Sequence, residues 1–370
     1  MTRRAVAIDV IRIPTNGPGD VSGLMALIDE GKIAPASILA VLGKTEGNGG
    51  VNDFTREYAV AALREALAPH LKVAPRAVEE RIAFVMSGGT EGVLSPHLTI
   101  FARRPSAGVA TNGGGAKRLS VGIAHSRDFL PEEIGRRPQI EETVKAVRQA
   151  MADAAIDDPN DVHFVQVKCP LLTSERVEAA QRRGQKTVTT SGYASMGYSR
   201  GASALGVALA LGEVDADIDD SQVLKDWNAY SSVASCSAGI ELMHNVVIVM
   251  GNSALATSGL VIGHAVMRDA LDLSAVLEAL KHVGLGLADA RMNQRLVNIF
   301  AKAEAAPDGA VRGFRHTMLD DSDVGSTRHA RAAVGGLIGG LAGTGAVYVS
   351  GGAEHQGPPG GGPVAVIARV

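Results

Sequence analysis

The short pattern S-x-G-x-E occurs three times in this chain, each time after a small or apolar run that is typical of a β-strand. Residues 87–91 read SGGTE, residues 237–241 read SAGIE, and residues 350–354 read SGGAE. The glycine two residues after each serine permits a positive φ and a close approach of the backbone to a ligand. One such pattern in a glycine-rich chain carries little information, but three in comparable contexts predict an internal repeat.

The elements around the three patterns recur in one order. Each third of the chain reads as a strand, a helix, a strand ending in lysine, a loop, a Ser/Thr-Arg pair that opens a helix, and a strand ending in serine. The recurring residues are Lys44, Lys168 and Lys302; Arg56, Arg200 and Arg328; and Ser87, Ser237 and Ser350. The middle repeat has the longest stretch between its lysine and its serine.

Strands that alternate with helices predict an α/β fold of three homologous sheet-plus-helix repeats, at residues 1–104, 112–250 and 256–370. A chain of 370 residues is also too long for one ordinary core. Three similar units pack most simply around a pseudo-threefold axis, which would bring the recurring residues together in a central active site. Residues 105–117 between the first two repeats read as a linker, and the TNGGGAK within them lacks the spacing of a phosphate loop.

Charge and composition exclude several classes of function. The net charge is −3 with no basic or acidic block, so we expect no nucleic-acid partner and no polybasic membrane anchor. The N-terminus has no apolar signal segment, and the uncharged run at 332–352 is interrupted by glycines, which favours helix, turn and strand over a membrane span. Two cysteines, Cys169 and Cys236, predict reduced thiols in a cytoplasmic protein.

For any single residue of this pattern a structural role is the simpler interpretation, but matched triplication favours a shared site. Serine and lysine without a His–Asp pair can act as nucleophile and base, provided that burial and neighbouring arginines lower the lysine pKa. Arginines, with the N–H groups that follow the serines, can bind the oxygens of a planar ring and stabilise an oxyanion. Those following residues are Gly88, Ala238 and Gly351. No H-x-x-x-H or H-E-x-x-H spacing occurs, so we expect neither a catalytic zinc ion nor another catalytic cofactor.

Several longer segments carry a resemblance to a known family: GKTEGNGGVNDFTR, MSGGTEGVLSPH, ASCSAGIEL, HTMLDDSDVGSTRHAR and VSGGAEHQGPPGGG. With them, the chain resembles the cyanuric acid hydrolase/barbiturase family over essentially its whole length. The resemblance implies hydrolytic ring opening of a small cyclic amide, a fold of three repeats, and usually a homotetramer. Cyanuric acid, opened to 1-carboxybiuret, is the favoured substrate, and barbituric acid, opened to ureidomalonate, is the alternative. Two further interpretations are a non-catalytic binding protein for cyclic imides and a scaffold in which no lysine contacts a serine.

The resemblance also assigns roles to individual residues. It implies that Lys168 is the base and Ser237 the nucleophile, while the other repeats bind substrate; Ser235 is an alternative to Ser237. Arg331, one turn beyond Arg328, is an alternative substrate contact. A structural Mg²⁺ or Ca²⁺ is implied near the C-terminus, since oxygen ligands suit these ions. Its ligands would be the Glu304 carboxylate and carbonyl oxygens of Ala353, Gln356, Gly357, Pro358 and Gly361, although these residues read equally well as a plain Gly/Pro loop.

Overall fold

The computed structural model describes residues 6–105, 116–320 and 324–370. The predicted linker and its glycine-rich TNGGGAK lie almost wholly outside the described residues. Within them the chain forms an α/β structure with three four-stranded sheets and one short hairpin. Among these residues no helix has the length and apolar character needed to cross a membrane.

The first sheet has the strand order β1-β4-β2-β3. Its elements are β1 (Val6–Pro14), α1 (Ser22–Asp29), β2 (Ile38–Thr45), α2 (Phe54–Leu71), β3 (Ala83–Gly88) and β4 (His97–Pro105). Strand β4 is antiparallel to both β1 and β2, whereas β2 and β3 run parallel.

The middle sheet repeats this topology as β5-β8-β6-β7. Its elements are β5 (Arg118–His125), α3 (Arg137–Asp153), β6 (Val162–Pro170), α4 (Ser174–Arg182), α5 (Gly192–Leu211), β7 (Ala234–Gly239) and β8 (Val246–Ser253). Again the last strand is antiparallel to the first and second strands, and the second and third run parallel.

The last sheet has the same order, β9-β14-β10-β13. Its elements are β9 (Leu260–Met267), α6 (Leu273–His282), α7 (Met292–Arg295), β10 (Leu296–Ala303), α8 (Ser326–Ala342), β13 (Tyr348–Gly351) and β14 (Gly362–Arg369). A small hairpin, β11 (Ala310–Val311) and β12 (Phe314–Arg315), follows β10 and was not predicted from the sequence.

Each parallel strand pair places a lysine directly opposite a serine. The facing residues are Lys44 and Ser87, Lys168 and Ser237, and Lys302 and Ser350. The strands run one or two residues past these positions, so the predicted ends at lysine and serine were slightly short. The recurring order in the sequence is therefore a recurring register in three sheets.

The three sheets share a central core in addition to the cores beneath their own helices. This central core contains Phe101, Phe164, Phe300 and Tyr348, one or two residues from each sheet, and all four are fully buried. The Phe300 ring lies 5.5 to 6.2 Å from the other three ring centroids. Aromatic rings at such distances add favourable edge and face contacts to the burial of apolar area. This shared core fixes the sheets against one another.

The predicted start of α5 was wrong. Arg200 does not open this helix but is its ninth residue, because α5 begins at Gly192 with the Ser191 side chain as its N-cap. Two of its glycines serve close packing. A Cβ at position 206 would lie 2.5 Å from the Cβ of Thr143 on α3, and one at position 197 would lie 3.2 Å from Glu354.

Candidate active site

The three serines of the S-x-G-x-E patterns meet at one place. The Ser350 Oγ lies 3.3 Å from the Ser237 Oγ and 3.4 Å from the Ser87 Oγ. All three are largely buried and line a small pocket of about 30 Å³, hereafter the inner pocket. Its lining also includes three arginines and the three residues that follow the serines: Arg56, Arg200, Arg331, Gly88, Ala238 and Gly351. The structure thus brings most of the sequence-predicted binding residues together.

Two of the three lysines donate to the serine opposite them. Lys44 Nζ lies 3.1 Å from the Ser87 Oγ and 3.0 Å from the Gly88 carbonyl oxygen. Lys302 Nζ lies 3.2 Å from the Ser350 Oγ and also donates to three carbonyl oxygens, those of Cys236, Gly351 and Gly352. These contacts exclude the scaffold interpretation, in which no lysine would touch a serine.

Lys168 is arranged differently, although it is equally buried. Its Nζ forms an ion pair with Glu241 at 2.7 Å and a long contact of 3.4 Å with the Met86 carbonyl oxygen. No hydrogen bond joins it to Ser237 among the described residues, despite their facing positions in the sheet. Burial lowers the pKa of Lys168, while the Glu241 carboxylate acts in the opposite direction.

Burial lowers the pKa of the other two lysines as well. For Lys302 it does so to about 7, and the neighbouring Arg200 adds to the shift. For Lys44, burial and then Arg331 hold the pKa well below its usual value. The three carbonyl oxygens around Lys302 can only accept hydrogen bonds. These contacts favour the protonated ammonium, whereas a general base must be the neutral amine.

The arginines are held by glutamates of the S-x-G-x-E patterns from neighbouring repeats. Arg200 forms two hydrogen bonds with Glu354, with Nε at 2.7 Å and Nη2 at 2.5 Å. Arg331 does the same with Glu91, at 2.8 Å and 2.6 Å. Paired hydrogen bonds of this kind fix the plane of a guanidinium and hence the direction of its remaining N–H groups. These glutamates are the last residues of the S-x-G-x-E patterns, and no role was predicted for them.

Arg56 has a different set of contacts. It donates through Nη2 to the Gly50 carbonyl oxygen at 2.7 Å and through Nη1 to the Ala238 carbonyl oxygen at 3.1 Å. Asp53, which caps α2 and also accepts from the Gly49 N–H, lies 3.7 Å from Arg56 Nε. The loop before α2 is therefore tied to the turn after Ser237.

Two alternatives from the sequence are separated by position. Arg331 is nearly buried and lines the inner pocket, whereas Arg328 is about one-third exposed and lines only the larger cavity outside. Ser235 lies one step deeper than Ser237 on the same face of β7 and donates to the Gln166 side chain at 3.0 Å. Only Ser237 reaches the inner pocket.

The glycines of the three patterns do not adopt one conformation. Gly89 and Gly352 have φ values of 100° and 76°, as expected from the sequence, and each packs against an arginine. Gly239 in the middle repeat has no positive φ, and β7 extends through it. The expectation of a positive φ was therefore wrong for the middle repeat.

A larger cavity of about 830 Å³ adjoins the inner pocket, with Arg200, Arg331 and Gly49 lining both. Its wall includes Trp227, which is stacked on the buried His355 at 5.4 Å between ring centroids. This outer cavity provides a route between solvent and the inner pocket.

Of the residues expected to hold a metal ion, Glu304, Ala353 and Gly357 line this outer cavity, whereas Gln356, Pro358 and Gly361 do not. Glu304 accepts hydrogen bonds from the N–H groups of Ala305 and Ala353, at 3.0 Å and 2.9 Å. Burial, and next the neighbouring Glu354 carboxylate, raise the pKa of Glu304. Two carboxylates so placed favour a nearby cation, and the carbonyl-rich loop that follows offers further oxygen ligands. In the described residues no cluster of three or more His, Cys, Asp or Glu side chains adds a second candidate.

Serines and lysines lie around one pocket beside arginines oriented by glutamates, an arrangement that suits hydrolysis. The sequence profile described as "Amidohydrolase ring-opening protein" matches residues 9–369. A cyanuric acid amidohydrolase of Bradyrhizobium diazoefficiens is 71% identical over 99% of each chain. One from a Pseudomonas species is 61% identical over 98% of this chain and 99% of its own.

Solved structures agree with the sequence relatives. A cyanuric acid hydrolase described as an evolutionary innovation by structural concatenation has a TM-score of 0.94 and 60% identity, covering 99% of this chain and 100% of its own. The corresponding hydrolase of A. caulinodans has a TM-score of 0.90 and 50% identity, over 98% and 99% of the two chains. The chain belongs to the ring-opening amidohydrolase family, so it is an enzyme that hydrolyses C–N bonds in cyclic amides, and the resemblance seen in the sequence is confirmed.

Proposed function

We propose that this enzyme hydrolyses cyanuric acid to 1-carboxybiuret. The observation that carries the proposal is the inner pocket itself, where three serine hydroxyls and three arginines converge. Such a set of matched donors suits a planar ring with three equivalent carbonyl edges, and the close relatives carry the name of this activity. The proposal includes a pseudo-threefold arrangement of the three sheets around the pocket, which their identical topology supports.

In the proposed reaction, Ser237 Oγ attacks a ring carbonyl carbon while Lys168, as the neutral amine, takes the hydroxyl proton. The resulting oxyanion is stabilised by hydroxyl and backbone N–H donors around the pocket. The C–N bond then breaks, and the leaving ring nitrogen receives the proton from Lys168. Water, deprotonated by the same amine, hydrolyses the acyl-enzyme and releases the opened product.

The contacts of the lysines support a role for the middle repeat. Lys302 is surrounded by carbonyl oxygens that require its protons, and Lys44 donates to one carbonyl oxygen at 3.0 Å. Lys168 has only one long carbonyl contact, and its strong partner is the partly exposed side chain of Glu241. A base must be able to lose a proton without leaving buried acceptors unsatisfied, and Lys168 meets this condition best.

The decisive experiment compares four alanine variants under one assay. Ser237→Ala and Lys168→Ala should each lower kcat by about three orders of magnitude or more, with strongly non-additive losses in the double variant. Ser87→Ala and Ser350→Ala should act partly on KM. Substantial kcat in Ser237→Ala, together with an inactive Ser87→Ala or Ser350→Ala, would assign the chemistry to another repeat. An inactive Ser235→Ala beside an active Ser237→Ala would shift the nucleophile by two residues.

The choice of substrate needs an assay of ring opening itself, because ammonia can be released by later steps. Both rings should be tested with the wild-type enzyme. Turnover of barbituric acid alone would replace the proposal by a barbiturase, and binding without turnover of either ring would favour a cyclic-imide binding protein.

We also propose a structural Mg²⁺ or Ca²⁺ held by Glu304 and by carbonyl oxygens of the loop from Ala353 to Gly361. When bound, the ion would offset the repulsion between Glu304 and Glu354 and stiffen the loop that continues from the Ser350 turn. It is not part of the reaction steps.

A homotetramer and a cytoplasmic location complete the proposal. The two cysteines are buried and unpaired, and burial raises the pKa of each thiol, which suits a reducing compartment. Sedimentation velocity at micromolar concentration would test the tetramer.

A further inference from the structure

The Nε–H group of Arg56 makes no hydrogen bond among the described residues, whereas the Nε–H groups of its counterparts in the other repeats do. Arg200 Nε donates to Glu354, and Arg331 Nε donates to Glu91. Arg56 Nε is buried and has no hydrogen-bond partner within the described parts of the chain. The Asp53 carboxylate, at 3.7 Å, lies beyond hydrogen-bond range. A buried donor without an acceptor costs about 1–3 kcal/mol, so its presence calls for an explanation.

By analogy with the other two repeats, the acceptor expected for Arg56 Nε is Glu241, the glutamate of the middle S-x-G-x-E pattern. It pairs with Lys168 instead, and Lys168 in turn makes no hydrogen bond to Ser237 in the described structure. The unpartnered Nε of Arg56 and the absent hydrogen bond between Lys168 and Ser237 therefore have one common cause, the position of the Glu241 side chain.

The turn that carries Glu241 also differs from its counterparts. Gly89 and Gly352 have positive φ, and a Cβ on either would lie 2.4 to 2.6 Å from the Nε of its arginine. Gly239 remains in the strand, with the Glu241 carboxylate folded against it. Because glycine adopts positive φ at no steric cost, the middle turn can reach the conformation of the other two.

We propose that Glu241 is a positioning residue that exchanges between two cationic partners, Lys168 in the free enzyme and Arg56 when a ring occupies the inner pocket. This inference rests on the proposed roles of Ser237 and Lys168. A paired ammonium has no lone pair and cannot accept the Ser237 proton. When Glu241 leaves, the ammonium gives one proton to water in the adjoining cavity, and the buried amine is free to accept the hydroxyl proton as Oγ bonds to the ring carbon.

Ring binding supplies a reason for the exchange. The inner pocket is lined by Arg56, Ser237 and Ala238, so a ring that occupies it would contact Arg56 and the turn that leads to Glu241. A ligand shifts such an equilibrium only if it binds one state better. The exchanged state would have Arg56 fixed by two hydrogen bonds, like Arg200 and Arg331, and so would present three oriented guanidinium groups to the ring.

The direct test is a crystal structure of Ser237→Ala with cyanuric acid bound, compared with the same variant without ligand. We expect Glu241 within about 3 Å of Arg56 Nε in the complex, a hydrogen-bonding distance, and Lys168 separated from Glu241. A complex that retains the Lys168–Glu241 pair would overturn the exchange. This result does not depend on turnover, so it stands apart from the proposed function, which the wild-type assay tests.

Kinetics provide the second test, with Glu91→Gln as the matched control. Glu241→Gln should raise KM, since it loosens Arg56, and should also move the acidic limb of the kcat/KM pH profile to lower pH, because the Glu241 carboxylate raises the pKa of Lys168 in the free enzyme. Glu91→Gln should act mainly on KM because it loosens a binding arginine. A Glu241→Gln variant whose kcat/KM keeps the wild-type pH profile would refute the inference, and Glu91→Gln should keep that profile. If Glu241→Gln does not fold, Glu241→Asp, which keeps the charge on a shorter side chain, permits the same comparison.

Discussion

Replacing Lys302 by methionine should lower the stability of the protein more than replacing Lys168 does. In Lys302→Met, the Gly352 carbonyl oxygen keeps the Gln356 amide as a donor, whereas those of Cys236 and Gly351 lose the ammonium. Each unsatisfied carbonyl costs about 1–3 kcal/mol. Removing a desolvated ammonium offsets part of this cost. We expect a net loss of about 2–4 kcal/mol, or an apparent Tm lower by about 3–5 °C for a chain of 370 residues.

Lys168→Met removes one long carbonyl contact and the partner of Glu241. The Glu241 side chain is 27% exposed, so water would solvate part of the unpaired carboxylate, and its loss of a partner should cost less than the roughly 3–5 kcal/mol of a fully buried charge. If Glu241 turns to Arg56, the cost falls to about 1 kcal/mol, because an ion pair is replaced by another. Differential scanning calorimetry at one scan rate measures both variants. A Lys168→Met protein that melts as low as Lys302→Met, or lower, would show that Glu241 has no second partner and would refute this reasoning.

Two further predictions concern pH and metal. His97 is fully buried, and burial lowers its pKa to about 4, so the unfolded chain binds a proton that the folded chain does not. Stability should therefore fall by up to about 3 kcal/mol as pH drops from about 6.5 to 4, and His97→Asn should flatten this slope in denaturation curves taken across that range. Chelation should lower the Tm while leaving residual turnover, and Glu304→Gln should abolish this effect on Tm. Complete, immediately reversible loss of turnover at an unchanged Tm would contradict the structural role of the ion.

The sequence predicted the repeating framework well because it depends on local patterns. Apolar runs of strand length and amphipathic helices recur in one order, and that order became three sheets of identical topology. The lysine and serine that the pattern matched in each repeat, such as Lys168 and Ser237, face each other on neighbouring parallel strands. Register depends on which residues must share the buried face, and the alternation of side chains along each strand determines those residues.

The sequence did not predict features that depend on contacts between repeats. The start of α5 at Gly192 was missed because the residues before Arg200 pack against another repeat, as Gly197 does against Glu354. The pairing of Arg331 with Glu91 joins residues at opposite ends of the sequence. The glutamate of each S-x-G-x-E pattern was visible as a recurring letter, and it could have been matched with the recurring arginines on charge alone.

The proposed pseudo-threefold arrangement would bind a symmetric ring, but hydrolysis needs a single nucleophile. A ring with three equivalent carbonyl edges can enter such a pocket in any of three rotations and present the same carbonyl to Ser237. Barbituric acid, with one carbon in place of a ring nitrogen, lacks this equivalence. The asymmetry that chemistry needs lies in the middle repeat, where Gly239 stays extended and Glu241 holds a lysine rather than an arginine. The other two lysines donate to carbonyl oxygens and serines, whereas Lys168 is held mainly by one carboxylate, whose departure would leave its amine free to act as the proposed base.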